Sequence, residues 1–209
     1  MSRGKHSRTR RLKHPPTIDH LRTKYDAPSG SHVAEGEAVV HHTTPDDVAA
    51  YLMDLNSKDF QTKLNRDLYP CYEVREVVNG HHSIMFNEIR TSPFQNRTMV
   101  VSLLWKKVCN EPLTYVWCAV SIDGHASVRP EDEAHTLRAD LSRCVRLTAL
   151  SSHSTKLEMV TTLDLKGNFP KWFVDAVILP QVAEVATSTR RLGHVSRTEL
   201  ALAEIASYA

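Results

Sequence analysis

Leu163-Asp164-Leu165-Lys166-Gly167-Asn168-Phe169-Pro170-Lys171-Trp172 joins a strongly alternating strand to an apolar helix through a short turn. Upstream of it, Leu157, Met159, Thr161, Leu163 and Leu165 hold the odd positions, while Lys156, Glu158, Thr162 and Asp164 hold even ones. One face of that strand is therefore covered and the other wet. Gly167 supplies the turn, and Pro170 suits the first turn of a helix, where its missing N–H costs nothing. The apolar density from Trp172 to Ala186 lays this helix on a greasy surface; Pro180 kinks it, and Gly193 ends it after Leu192. Such a strand face and helix face close either over a packed core or over a ligand.

Working back along the chain, residues 37–42 form a short strand. Thr44 caps and Pro45 opens a helix that carries Val48, Ala49, Leu52 and Leu55 at helical spacing, and a second short helix covers 57–65. Strands follow at 72–78, 82–90, 97–108 and 113–122, with turns at Asn79-Gly80 and at 110–112 and a break at Ser92-Pro93. After a polar loop at 123–133, a long alternating strand at 135–150 leads through the Ser151-Ser152-His153-Ser154 turn into the strand of the opening stretch. Consecutive hairpins make an antiparallel sheet, and the class is α+β.

At 209 residues the chain suits one domain with tails. Its 26 Lys+Arg and 24 Asp+Glu nearly balance, but Arg3, Lys5, Arg8, Arg10, Arg11 and Lys13 all precede the first acid, Asp19. Without those six the body holds 20 basic against 24 acidic residues, about −4. Residues 1–32 read as a basic, disordered arm with at most a helical stretch at 18–25, order beginning near His32. Such an arm either touches phosphates at an anionic membrane surface or is simply solvated. Cys71, Cys109, Cys118 and Cys144 show no C-x-x-C spacing and read as reduced, buried thiols of an intracellular, cytoplasmic protein with peripheral membrane contact. No apolar run approaches the length of a membrane span, and the amino terminus lacks a secretory signal's apolar segment. The last residues, 197–209, read as a short helix.

No catalytic kit stands out. His41-His42 and His81-His82 sit on strands where neighbours point to opposite faces, so neither pair chelates one ion, and no metal or cofactor is expected. No G-x-S-x-G elbow or phosphate-cradling glycine loop occurs. One polar pair is notable. On the strand from Ser83, Ile84 and Phe86 are apolar and Glu88 shares their face; on the next, Met99, Val101, Leu103 and Trp105 are apolar and Arg97 shares theirs. Both charges are expected to point inward and to meet, either as a structural pair or as an anchor for a ligand's polar group. Trp105, Tyr115, Trp117, Trp172 and Phe173 are core aromatics or a ligand cage.

The order of elements, with Leu137-Arg138-Ala139-Asp140 through Cys144, Thr155-Lys156-Leu157, Leu163-Asp164-Leu165-Lys166-Gly167, Phe169-Pro170-Lys171-Trp172 and Arg190-Arg191-Leu192, resembles the START (steroidogenic acute regulatory protein-related lipid transfer) domain family over about residues 37–192. The Asp-x-Lys-Gly-x-x-Pro turn is its most specific piece. The resemblance implies a helix-grip fold, a curved antiparallel sheet around a long carboxyl-terminal helix, with a tunnel for one lipid such as a sterol, phospholipid or sphingolipid. It implies carriage or sensing and no chemistry. Arg97 stands where the family has an Arg-Asp pair, with Thr98 replacing the Asp, and Glu88 is the candidate acidic partner. The family's first helix and strands have no visible counterpart in residues 1–32, which would leave a sheet edge open.

The expected organisation is therefore an arm (1–32), a START-like domain (33–192) whose first family elements are either absent or diverged beyond reading, and a helical tail (193–209). The expected ligand wall is Phe86, Met99, Val101, Leu103, Tyr115, Trp117, Met159, Phe173 and Val177, with Glu88 and Arg97 as its polar spot. The partners are one lipid and, through the arm, anionic membranes; no nucleic acid is expected, and the protein is a monomer. The rival readings are a helix-grip cyclase or hydrolase acting on a bound hydrophobic substrate, and a ligand-free interaction module.

Overall fold

The computed structural model describes residues 18–26, 31–55, 71–123, 125, 129, 137–167, 169–170, 172–175 and 178. Among the described residues nine strands form a single sheet: β1 (Ile18–Asp26), β2 (Ser31–His41), β3 (Cys71–Asn79), β4 (His82–Ile89), β5 (Arg97–Asn110), β6 (Leu113–Ser121), β7 (Leu137–Arg138), β8 (Asp140–Ser151) and β9 (Ser154–Asp164). Across the sheet the order is β1-β2-β9-β8-β6-β5-β4-β3, antiparallel throughout, and only the two-residue β7 pairs parallel, with β5. Helix α1 (Pro45–Leu55) lies against β6 and β8. No helix among the described residues is long and apolar enough to cross a membrane.

Two expectations fail at the level of elements. Residues 18–26 are not an arm with a helical stretch: they form β1, which pairs with β2, and β2 itself begins at Ser31 rather than at residue 37. The reason is period-two patterning. Leu21 and Thr23 are partly covered while His20, Arg22 and Lys24 are exposed, and Leu21 packs on the main core. These strands occupy the edge that was expected to be open. The long strand at 135–150 is also broken: Ala139, buried, shifts the chain from β7 beside β5 to β8 beside β6, and its N–H donates to Thr98 O at 2.9 Å.

Other junctions follow their local chemistry. Thr44 and Asp47 form a reciprocal cap on α1, the Thr44 N–H donating to Asp47 Oδ2 at 2.8 Å and the Asp47 N–H to Thr44 Oγ1 at 3.2 Å. Val48, Ala49 and Leu52 of α1 then enter the core. At Pro170 a helical turn opens, with the N–H groups of Phe173 and Val174 donating to Pro170 O at 2.9 and 3.3 Å, and residues 172–175 and 178 are helical. The expected helix at 57–65, the continuation past residue 178 with its Pro180 kink, the arm before Ile18 and the tail at 193–209 lie outside the described residues.

Candidate functional site

The main core gathers on one face of the sheet, under α1 and the turn of helix after Pro170. Register identifies this inner face: Met159 faces Val145, Val145 faces Trp117 and Trp117 faces Trp105 from β9 to β5. Arg97, Met99, Val101, Leu103, Tyr115, Trp117, Met159 and Phe173 are all buried, and all but Arg97 belong to the main core cluster. Val177 lies outside the described residues.

Phe86 and Glu88 are corrections. Ile89, not Glu88, stands opposite Arg97, and Met85 faces Val101, so the inner positions of β4 are Met85, Asn87 and Ile89. Phe86 belongs instead to a small cluster with Ile84 and Val100 on the other face, where the Arg75 guanidinium sits 4.5 Å over its ring. Because both faces of β4 are covered, its apolar run has no visible phase, and an error of one residue exchanges the faces. Glu88 accepts from Asn96 Nδ2 at 2.7 Å.

Arg97 does turn inward, at 4 % exposure, but its partners are carbonyl groups. Nε donates to Leu165 O at 2.5 Å, Nη2 to Lys166 O at 3.1 Å and Nη1 to Gln95 O, while the guanidinium lies 4.8 Å from the centroid of the Phe169 ring. Burial lowers its pKa. This side chain clamps the turn of the opening stretch. Lys166 and Gly167 take φ of 51° and 100°, Gly167 being the residue type suited to that region, and the Lys166 N–H donates to Asp164 Oδ1 at 2.8 Å. Asp140 and Asp164 are directly opposed across β8 and β9, where like charges repel; the Lys166 ammonium bridges Asp140 and Asp164 Oδ2, and its pKa is raised by those hydrogen bonds. The Asp-x-Lys-Gly motif is thus the closure of a strand end. Beyond it, Phe169 and Phe173 stack at 5.1 Å, and Phe94 meets them edge-on at 4.9 and 5.1 Å.

Four inner-face features escaped the sequence reading. Arg143 shares its face with Leu141, Val145 and Leu147, and its Nε donates to Thr161 Oγ1 at 3.1 Å. Tyr115 Oη donates to Asp46 Oδ1 of α1 at 2.5 Å, and burial, then Asp46, raise its pKa. His32 Nδ1 lies 3.8 Å from Asp175 Oδ1, linking β2 to the helical residues after Pro170. Finally, Trp117 Nε1 and Asn87 Oδ1 are buried without a hydrogen-bond partner among the described residues. The signal for Arg143 was present: it interrupts the apolar odd positions of β8. Among the described residues no group of three or more His, Cys, Asp and Glu is placed to hold a metal ion.

No family model matches the sequence, and no curated protein matches it. Solved structures share its architecture. Human StAR-related lipid transfer protein 5 is similar with a TM-score of 0.64 at 14% identity, over 88% of this chain and 86% of that one. The human StarD13 (DLC2) lipid transfer and protein localization domain gives 0.61 at 19% identity over 82% of each chain. A fragment of the STAR-related lipid transfer protein from Xanthomonas axonopodis gives 0.60 at 14% identity, over 86% of this chain and 97% of that one. At these identities the likeness is one of fold: the chain has the fold of the StAR-related lipid transfer domains.

Proposed function

We propose that this chain encloses one lipid between the inner face of its sheet and the helix that begins at Pro170, and carries it between membranes or senses it without chemical change. A sterol, phospholipid or sphingolipid is the ligand class. The observation that carries the reading is Trp117: a filled core satisfies its polar atoms, whereas this indole N–H is buried on the inner face with no acceptor among the described residues. The shared fold supports it, because the similar structures are described as lipid transfer proteins.

Enclosure needs few polar anchors, since each Å² of apolar area withdrawn from water is worth about 25 cal/mol. The wall consists of Met99, Val101, Leu103, Tyr115, Trp117, Met159 and Phe173. Arg97 anchors the start of the helix, so opening for release works against a pinned end. The basic arm docks the domain on anionic membranes; deleting residues 1–14 leaves β1 whole, and unchanged liposome sedimentation would remove that part of the reading.

The decisive experiment is native mass spectrometry of the chain purified from a eukaryotic host. One co-purifying lipid per chain is the expected result, and vesicle-to-vesicle transfer of that lipid should follow. A bare polypeptide mass that no added lipid shifts would refute carriage.

A further inference from the structure

Two buried polar atoms of the inner face have no hydrogen-bond partner among the described residues: Asn87 Oδ1 on β4, in a residue 8 % exposed, and Trp117 Nε1 on β6, in a residue 6 % exposed. Side chains of the same types elsewhere are served. Trp105 Nε1 donates to Gly80 O at 3.0 Å, and the Asn96 amide donates to Glu88 Oε1 at 2.7 Å and accepts from the Thr91 N–H at 3.4 Å. Of the two orphans, the amide oxygen accepts and the indole N–H can only donate. Leaving either buried and unpaired is unfavourable, and an apolar residue of similar shape, Leu for Asn87 or Phe for Trp117, would avoid that cost.

Register fixes how far apart they stand. Asn87 is opposite Met99 on one side of β5 and Trp117 is opposite Trp105 on its other side, so six residues of β5 separate the two pairings. At a rise of about 3.3 Å per residue, that is about 20 Å along the strand. Neither orphan can serve the other, and no single head group reaches both. Between them run Val101 and Leu103 of β5, with Met85 beside the first and Ala119 beside the second, all apolar and buried. The span exceeds one hydrocarbon leaflet, half of a bilayer core about 30 Å thick. An extended hydrocarbon skeleton can bridge it, but an ordinary acyl tail, ending in a methyl group, would leave one orphan unserved.

We infer that the ligand is a two-ended amphiphile: a long hydrocarbon skeleton with an uncharged oxygen function at each end, a hydroxyl that donates to Asn87 and a hydroxyl or carbonyl that accepts from Trp117. This rests on the lipid-binding reading above and narrows it to skeletons oxygenated at both ends. A hydroxyl suits Asn87 whichever way the amide is turned, because it both donates and accepts. Neither orphan carries a charge, so uncharged ends suffice.

The test titrates the delipidated full chain and its N87L and W117F variants calorimetrically with hexadecanol and hexadecane-α,ω-diol, presented from cyclodextrin, and with the shorter pair decanol and decane-α,ω-diol. In the parent chain the long diol should bind about tenfold more tightly than hexadecanol, the scale of one further hydrogen bond. Decane-α,ω-diol, too short to span the two groups, should show no such advantage over decanol. Each variant should bring the long diol down to the level of hexadecanol while nearly sparing hexadecanol itself, whose one hydroxyl can use the orphan that remains. Equal binding of the long diol and hexadecanol by the parent, an advantage as large in the decane pair, or one that survives in both variants overturns the two-ended inference and leaves carriage standing. If no alcohol binds, a lipid still found by native mass spectrometry overturns this inference alone, and a bare polypeptide mass overturns carriage with it. Circular dichroism establishes that each variant is folded, and the chain-length comparison on the parent stays decisive if one is not.

Discussion

The guanidinium of Arg97 donates through Nε to the carbonyl oxygen of Leu165 at 2.5 Å, tying the start of β5 to a turn 68 residues later. With Nη2 on Lys166 O and the Phe169 ring beside it, one side chain fixes where β9 ends and where the helix can begin. Its inward charge belongs to the frame. Arg97→Gln should therefore lower stability by about 2–4 kcal/mol, since buried carbonyls lose charge-assisted donors. Arg97→Lys should recover little, because a single ammonium does not reproduce the planar fork. Urea unfolding measures both; loss of ligand selectivity with stability intact would instead make Arg97 a ligand anchor.

Alkaline pH should weaken the fold through Cys118. Burial, then its hydrogen bond to Cys144, raises this thiol from its ordinary 9.0 to about 11. The unfolded chain thus sheds its proton first, binds fewer protons than the native state between those values, and is lowered in free energy relative to it as pH rises. This contribution to stability is whole below pH 9.0, falls as pH rises and is gone above about 11. Tyr115, also raised, adds a loss beginning near its ordinary 10.0. Unfolding midpoints across this range should flatten first in Cys118→Ser; an unchanged curve in that variant would contradict the assignment.

The same two thiols should close into a bridge. None of the four cysteines is buried as expected: Cys109 and Cys144 are exposed, Cys71 and Cys118 partly so, and Cys118 and Cys144 are directly opposed on the outer face with Sγ atoms 3.4 Å apart. Oxidised glutathione supplies the oxidant: the Cys144 thiolate attacks it and releases one glutathione thiol, and the Cys118 thiolate then displaces the second. Two protein thiols are oxidised and one low-molecular-weight disulfide is reduced. The second step should quicken as pH rises toward about 11, where Cys118 ionises. Peptide mapping should find the Cys118–Cys144 cross-link and lose it in Cys144→Ser; glutathione left on Cys144 with no cross-link would show that the strands hold the sulfurs apart.

Phe86 offers a control on the orientation of β4. Its neighbours Ile84 and Val100 lie on the opposite face from the main core, so Phe86→Leu should cost about 1 kcal/mol and leave lipid stoichiometry unchanged. A loss of bound lipid at full stability would return Phe86 to the ligand wall.

Legibility in the sequence followed how many faces of each strand are covered. β9 is buried on one side, and its Leu157, Met159, Leu163 alternation gave strand and phase together. Thr44 and Pro45 announced α1 because cap chemistry is local. β4 has both faces covered, so its phase resided in the pairing with β5 and not in its own residues. β1 looked like an arm because an edge strand carries His20, Arg22 and Lys24 on its wet face, and its few covered residues gain meaning only beside β2. Arg97 was rightly placed inward, but its partners, the carbonyls of Leu165 and Lys166, belong to the backbone and leave no trace in side-chain pattern.

Ala119 gives the sharpest distinction between a chamber and a packed core. It lies on the inner face between Leu103 and Arg143, at 4 % exposure, so something covers it. If that cover is a bound lipid's space closed over by the helix, Ala119→Leu fills vacant volume, and the delipidated protein should keep its stability or gain slightly. If side chains already occupy the space, the added atoms force strain costing about 1–3 kcal/mol. The expected outcome is the first, accompanied by a fall in lipid bound per chain, because the new side chain takes room the ligand needs. Urea unfolding of the delipidated chain and native mass spectrometry of the loaded chain separate the two. A loss of stability with no change in bound lipid would mean that the inner face is packed solid above Ala119 and that any ligand lies elsewhere along the sheet.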